Sequence, residues 1–164
     1  RAWFDAMLSN KSSNSTALDI NYDIYAEGEA LLGWLNCTAR LESNTPFDGN
    51  QTLIELAGKI RDGVIQAGQD IAHLKMTLDS QDGTGTLSVV SLVGVDREPD
   101  LRESLLDRVD GGELVINLRA EANPVQLETV TRQALASLGN IRAVIEHLEQ
   151  LRPGRPTPTH RMAE

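Results

Sequence analysis

The chain is long enough, at 164 residues, to bury a core of its own, and hydrophobic residues at 40% with aromatic residues at only 4% predict an aliphatic core. The formal charge of −9 argues against a nucleic-acid partner, because neutralising phosphates requires a positive surface. Cys37 is the single cysteine, so no disulfide or cysteine-based zinc cluster can form within the chain, and a reducing, cytoplasmic location is expected. No apolar run approaches the roughly 18 residues of a membrane span, so no membrane partner is expected.

Residues 1–16 are predicted to be the end of a preceding domain and its linker. RAWFDAML places Trp3, Phe4 and Met7 at helical spacing, and the polar SNKSSNST follows it without an apolar anchor. An α+β domain is then expected over residues 17–151. Residues 152–164 contain three prolines and a glycine, which predicts an extended C-terminal tail.

Alternation of apolar and polar residues predicts the strands of this domain. It appears in ALDINYDIY from residue 17, in LNCTARLES from residue 35, in IAHLKMTLDS from residue 71 and in GELVINLRAEA from residue 112. In the third stretch Ala72 and Leu74 are expected to face inward, and Ile71, His73 and Lys75 outward. The valine-rich TLSVVSLVGV returns antiparallel after a turn at Asp82-Gly83, and residues 96–112 are interpreted as a charged loop.

Apolar residues at helical spacing predict the helices. NQTLIELAGKIRDGVIQAG carries one such stripe, with Asp48 or Asn50 as its cap and Gly68 at its end. A second helix begins at Asn123-Pro124. IRAVIEHLEQL, residues 141–151, is predicted to be a third helix or a continuation of the second. The order β-β-α-β-β-β-α-α predicts an antiparallel sheet of four to five strands with helices packed on one face.

Catalytic signatures are absent from the sequence. No phosphate-loop pattern, H-E-x-x-H or G-x-S-x-G occurs, and the histidines His73, His147 and His160 are far apart in the chain. No general acid or base is assigned, and no metal ligand.

What remains is a polar, locally cationic sheet face and a basic tail. The face has three interpretations: solvated surface, a docking surface for a neighbouring domain or subunit, or a site for an anion. An enzyme using His73 with Lys75 is a further hypothesis. The candidate contact residues, each a donor to carboxylate or phosphate groups, are Arg40, His73, Lys75, Arg119, Arg155 and His160.

Five stretches together resemble the C-terminal domain of CobW-type GTPases, which are P-loop GTPases linked to metal delivery and cobalamin synthesis. They are LGWLNCTARLES, PFDGNQTLIEL, DIAHLKMTLDS, GELVINLRAEANPVQLETVTRQAL and RPGRPTPTHR. The resemblance covers residues 17–161 and implies a non-catalytic accessory domain. It places GTP, magnesium and a transition metal in a GTPase domain N-terminal to this segment, since no catalytic motif of the family matches here.

The resemblance also implies partners: that GTPase domain, a client metalloprotein, or a second copy of the chain. The alternative is a free-standing regulatory module that binds a small anionic ligand on its polar sheet face.

Overall fold

The sheet and its helices are seen in a computed structural model, which describes residues 31–154. The strands are β1 (Gly33–Phe47), β2 (Ile71–Asp79), β3 (Leu87–Leu92), β4 (Asp100–Glu103), β5 (Val109–Ala120) and β6 (Arg142–Leu151). The helices are α1 (Gly49–Gln66) and α2 (Pro124–Ala136). The strands form one antiparallel sheet in the order β4-β3-β2-β5-β1-β6.

This architecture confirms the predicted α+β class, with six strands where four to five were expected. The strand predicted from residue 17 lies outside the described residues, as do the tail residues Arg155 and His160. No helix in residues 31–154 is long and apolar enough to cross a membrane.

Both helices cover the same face of the sheet, α1 over β2 and β3 and α2 over β1 and β6. Leu74, Leu118 and Leu135 belong to one continuous core, while Lys75 is exposed on the other face. The inward positions of β1 and β5 are buried as their alternation predicts: Leu35, Cys37, Ala39, Leu41, Leu114, Ile116, Leu118 and Ala120. One face of the sheet therefore supplies the core and the other stays open.

Local signals fix the helix ends. The Asp48 side chain accepts a hydrogen bond from the Gln51 backbone N–H at 3.0 Å, which selects Asp48 over Asn50 as the cap of α1. α1 ends before Gly68, whose φ of 70° suits the left-handed turn that stops a helix. Asn123 forms a capping box with Gln126 at the start of α2.

The third predicted helix is wrong, because residues 142–151 form the edge strand β6. Ile145 lies opposite Ala39 and His147 lies opposite Thr38, so Glu146 is an extra residue in a β-bulge. The bulge places Ile145 and Leu148 on the same face although they are three residues apart. That spacing is what a helix would show, and the sequence pattern therefore favoured the wrong structure.

A second bulge corrects the orientation at the start of β2. Ile71 lies opposite Ala120 and His73 lies opposite Arg119, which leaves Ala72 as the extra residue. Ile71 is consequently buried and Ala72 exposed, the reverse of the prediction, while His73 and Lys75 face outward as expected.

The charged segment 96–112 is not a plain loop. It contributes β4 and the first residues of β5 to the sheet. Between them, the Asn50 side chain donates to the Leu105 carbonyl and accepts from the Leu105 backbone N–H, both at 2.9 Å. One amide side chain thereby ties the segment to the start of α1.

Candidate binding site on the open sheet face

The open face carries a group of basic side chains at one end. His73 and Lys75 lie on β2 and Arg119 lies on the neighbouring strand β5; these three residues are called the cationic cluster below. His73 is directly opposite Arg119, so their Cβ atoms are about 5 Å apart. Alternation along each strand and the register between strands thus bring together three of the six predicted contact residues.

Trp34 and two asparagines complete the site. The Arg119 guanidinium carbon lies 4.0 Å from the centroid of the Trp34 ring, a cation–π contact between β5 and β1. Asn117 lies opposite Lys75 and donates its side-chain N–H to the Asn36 side chain at 2.8 Å. These contacts hold Arg119 and Asn117 in place on the face.

The six side chains surround a shallow depression of about 270 Å³. Leu118 of β5 also lines it, between the cluster and the β1 residues Trp34 and Asn36. The indole N–H of Trp34 is enclosed and has no acceptor within residues 31–154.

Among the described residues, the cluster has no ion-pair partner and no nearby carboxylate in its cross-strand row. None of the three residues forms an ion pair with any residue in the described range 31–154. In the cross-strand row through Lys75, the nearest carboxylates are Asp100, two strands away, and Glu149, three strands away. Those separations are about 10 and 14 Å, so no carboxylate in this row is close enough to form an ion pair with Lys75.

The structure separates Arg40 from the other candidates. Arg40 lies six residues along β1 from Trp34, about 20 Å at the usual rise of a strand. Its Nε donates to Glu146 at 2.8 Å, and its pairing neighbour on β5 is Glu113, which in turn faces Asp79. This end of the open face is therefore mixed and predominantly acidic, whereas the cluster end is cationic.

The remaining titratable candidates do not form a reactive site in residues 31–154. His147 lies on β6 opposite Thr38 and not on a helix. No group of three or more His, Cys, Asp or Glu in this range is placed to hold a metal ion. Cys37 is buried, and burial raises the pKa of its thiol to about 11, with the charge of Arg132 opposing this weakly.

Sequence reasoning left Trp34, Asn36 and Asn117 out of the candidate list, although alternation put them on the polar face. The missing signal was the register, which places Trp34 opposite Arg119 and Asn36 opposite Asn117.

Comparison of the chain with protein-family models, with curated proteins and with solved structures finds no match.

Proposed function

We propose that this chain is a non-catalytic interaction domain that binds an acidic segment of a partner through the cationic end of its open sheet face. The cationic cluster carries the proposal. It sets a lysine, an arginine and a histidine side by side on neighbouring strands, and none of the three forms an ion pair within residues 31–154. Charged donors in this state bind carboxylates favourably, because the hydrogen bonds they form are charge-assisted.

We further propose that the chain serves as the C-terminal accessory domain of a CobW-type GTPase. The order of elements supports this, since β1 runs into Pro46-Phe47 and is followed by a helix, a group of strands and a helix. The short strand β4 and the edge strand β6, which follows α2, are two strands more than the resemblance implies. In that setting the acidic partner is the GTPase domain, a client metalloprotein or a second copy of the chain. The protein works in the cytoplasm, and the GTPase domain holds GTP, magnesium and a transition metal.

The affinity should be modest because the site is shallow and exposed. A surface ion pair is worth about 1 kcal/mol and a hydrogen bond to a charged group about 1.5 kcal/mol, so three such contacts give about 3 to 4.5 kcal/mol and a dissociation constant on the order of 1 mM at low salt. Hexaglutamate is a suitable probe peptide. Its binding can be measured by NMR from the changes in backbone amide chemical shift at residues 73–75 and 117–119. Lys75→Glu and Arg119→Glu should each weaken binding about tenfold.

Arg142→Glu is the matched control, because Arg142 lies on the same face opposite Glu42 at the far end. It should leave the affinity for hexaglutamate unchanged within a factor of about two. Equal losses for Arg142→Glu and Arg119→Glu would show general charge attraction and no site. Absence of shifts in the cluster at low salt would contradict the proposal outright.

A second candidate function is a module for a small anionic ligand, and the depression of about 270 Å³ favours it. Titration with inorganic phosphate and with GTP separates the two functions. The accessory-domain proposal expects no GTP binding by the 164-residue chain. Micromolar affinity for GTP that depends on Lys75 would establish the ligand-binding module in its place.

A further inference from the structure

We infer that residues 17–30 of this chain, called the acidic segment below, are an intramolecular ligand of the cationic cluster and compete with the acidic partner. The inference rests on the proposed binding function of the open face and names a built-in competitor for it. Three observations carry it: the charge of the segment, its distance from the cluster along the chain, and the charge of the surfaces around the cluster.

The acidic segment, ALDINYDIYAEGEA, has four carboxylates and no basic side chain; they are Asp19, Asp23, Glu27 and Glu29. Residues 1–16 hold two basic side chains and one acidic one, Arg1, Lys11 and Asp5. The negative charge upstream of the sheet is therefore concentrated in the stretch that directly precedes it. A concentrated anionic stretch is the kind of ligand that the cluster should bind.

The chain enters the sheet at the cluster end. β1 begins at Gly33, and its second residue, Trp34, forms one wall of the depression. Glu29 precedes Gly33 by four residues, so an extended chain keeps it within about 14 Å of the start of β1. Asp19 precedes Gly33 by 14 residues, a reach of about 45 Å, which is enough for the segment to cross the whole cluster.

The surrounding charges favour the cluster over other parts of the open face. At the far end Asp79, Glu113 and Glu146 would repel an acidic stretch. The other end of the chain is a poorer occupant, because Arg152, Arg155 and Arg161 make the tail basic. The acidic segment is thus the part of this chain whose charge complements the cluster.

The expected effect is a loss of affinity for outside ligands. A short tether gives the segment an effective concentration on the order of 10 mM. Against the intrinsic dissociation constant on the order of 1 mM given above, the cluster is free about one tenth of the time. An external acidic peptide then binds about tenfold more weakly than to an uncovered site.

The test uses the full chain with the four carboxylates of the segment neutralised as Asp19→Asn, Asp23→Asn, Glu27→Gln and Glu29→Gln. Hexaglutamate should bind this variant about tenfold more tightly than it binds wild type. The control changes the net charge equally at sites away from the cluster, with Glu55→Gln, Asp62→Asn, Asp107→Asn and Asp110→Asn. It should leave the affinity within about twofold of wild type, since remote exposed charges are screened.

A second measurement detects the contact directly. A spin label on Ala26→Cys should broaden the amide signals of Lys75 and Arg119 and spare that of Glu113, and the broadening should fall when the segment is neutralised. Cys37 does not compete for the label, because its thiol is buried and its pKa is raised to about 11. The labelled chain therefore carries one probe.

The outcomes separate this inference from the proposed function. A tenfold gain together with broadening at the cluster supports both. The inference is overturned if wild type and the neutralised variant bind hexaglutamate with equal affinity and the spin label causes no broadening at the cluster. If that binding still depends on Lys75, the proposed function stands. If neither protein binds hexaglutamate, the proposed function and the inference both fail.

Discussion

Two glycines in α1 should respond in opposite ways to the same substitution. A Cβ added at Gly58 would meet no atom within 4 Å, whereas a Cβ added at Gly63 would lie 2.6 Å from Cγ1 of Val130 on α2. Both positions gain helix propensity on substitution by alanine, about 1 kcal/mol each. At Gly63 the gain is opposed by a clash, because carbon atoms pack at about 3.5 to 4.0 Å and Val130 would have to move by about 1 Å.

The two effects can be compared in magnitude. Gly58→Ala should raise the free energy of unfolding by about 0.5 to 1 kcal/mol, which is a rise of about 2 to 4 °C in Tm for a domain of this size. Overpacking costs about 1 to 3 kcal/mol, so Gly63→Ala should be neutral at best and destabilising by up to about 2 kcal/mol. Urea denaturation followed by circular dichroism measures both differences.

A double-variant cycle tests the stated cause. In a Val130→Ala background the methyl groups that obstruct the new Cβ are gone, so Gly63→Ala should become stabilising by about the amount seen at Gly58. If Gly63→Ala stabilises the wild-type protein as much as Gly58→Ala does, α1 and α2 do not approach as closely as described. If Val130→Ala leaves the effect of Gly63→Ala unchanged, the clash is not its cause.

Three further predictions concern single side chains. Cys37 should resist alkylation at pH 8 until the protein unfolds, because a pKa of about 11 leaves about one thiol in a thousand ionised; fast labelling of the native protein would contradict its burial. Thr84→Val should raise the pKa of Asp82, measured by NMR titration, because it removes the Thr84 hydroxyl, whose hydrogen bond is the main cause that lowers this pKa. The stability from this bond is present above the unfolded pKa and is lost as pH falls through the lower folded value. Asn50→Asp should cost about 1 to 3 kcal/mol in urea denaturation, since it removes the donor to Leu105; an unchanged midpoint would show that this contact does not anchor the segment.

The strands that alternate without interruption could be predicted from the sequence, and the bulged ones could not. β1 and β5 keep a period of two through residues 35–41 and 114–120, and the buried positions follow it. In β6 the extra residue Glu146 changes the period at one point, so that Ile145 and Leu148 face the same way. A bulge is fixed by pairing with a neighbouring strand, and this pairing is not visible in the local pattern.

For the candidate site, the sequence likewise predicted the orientation of single side chains but not which strands bring them together. The outward orientation of His73, Lys75 and Arg119 follows from alternation alone, and it is confirmed by their exposure and pairing. Their proximity, and the distance of Arg40 from them, follow from the register between strands. Strand order places β5 between β2 and β1, although β1 and β2 are separated in sequence by one helix and β5 comes much later. Long-range pairing of this kind is a property of the fold and not of any one stretch.

A chain with a net charge of −9 can still present a cationic site, because the field at a surface is set by the charges within a screening length. At physiological salt that length is about 8 Å, shorter than the separations of about 10 and 14 Å between Lys75 and the carboxylates in its row. The cluster therefore acts on a contacting ligand as a local positive charge, although the chain as a whole is acidic. A chain segment tethered near the cluster would act there at a high effective concentration, and for this reason the acidic segment is the inferred competitor.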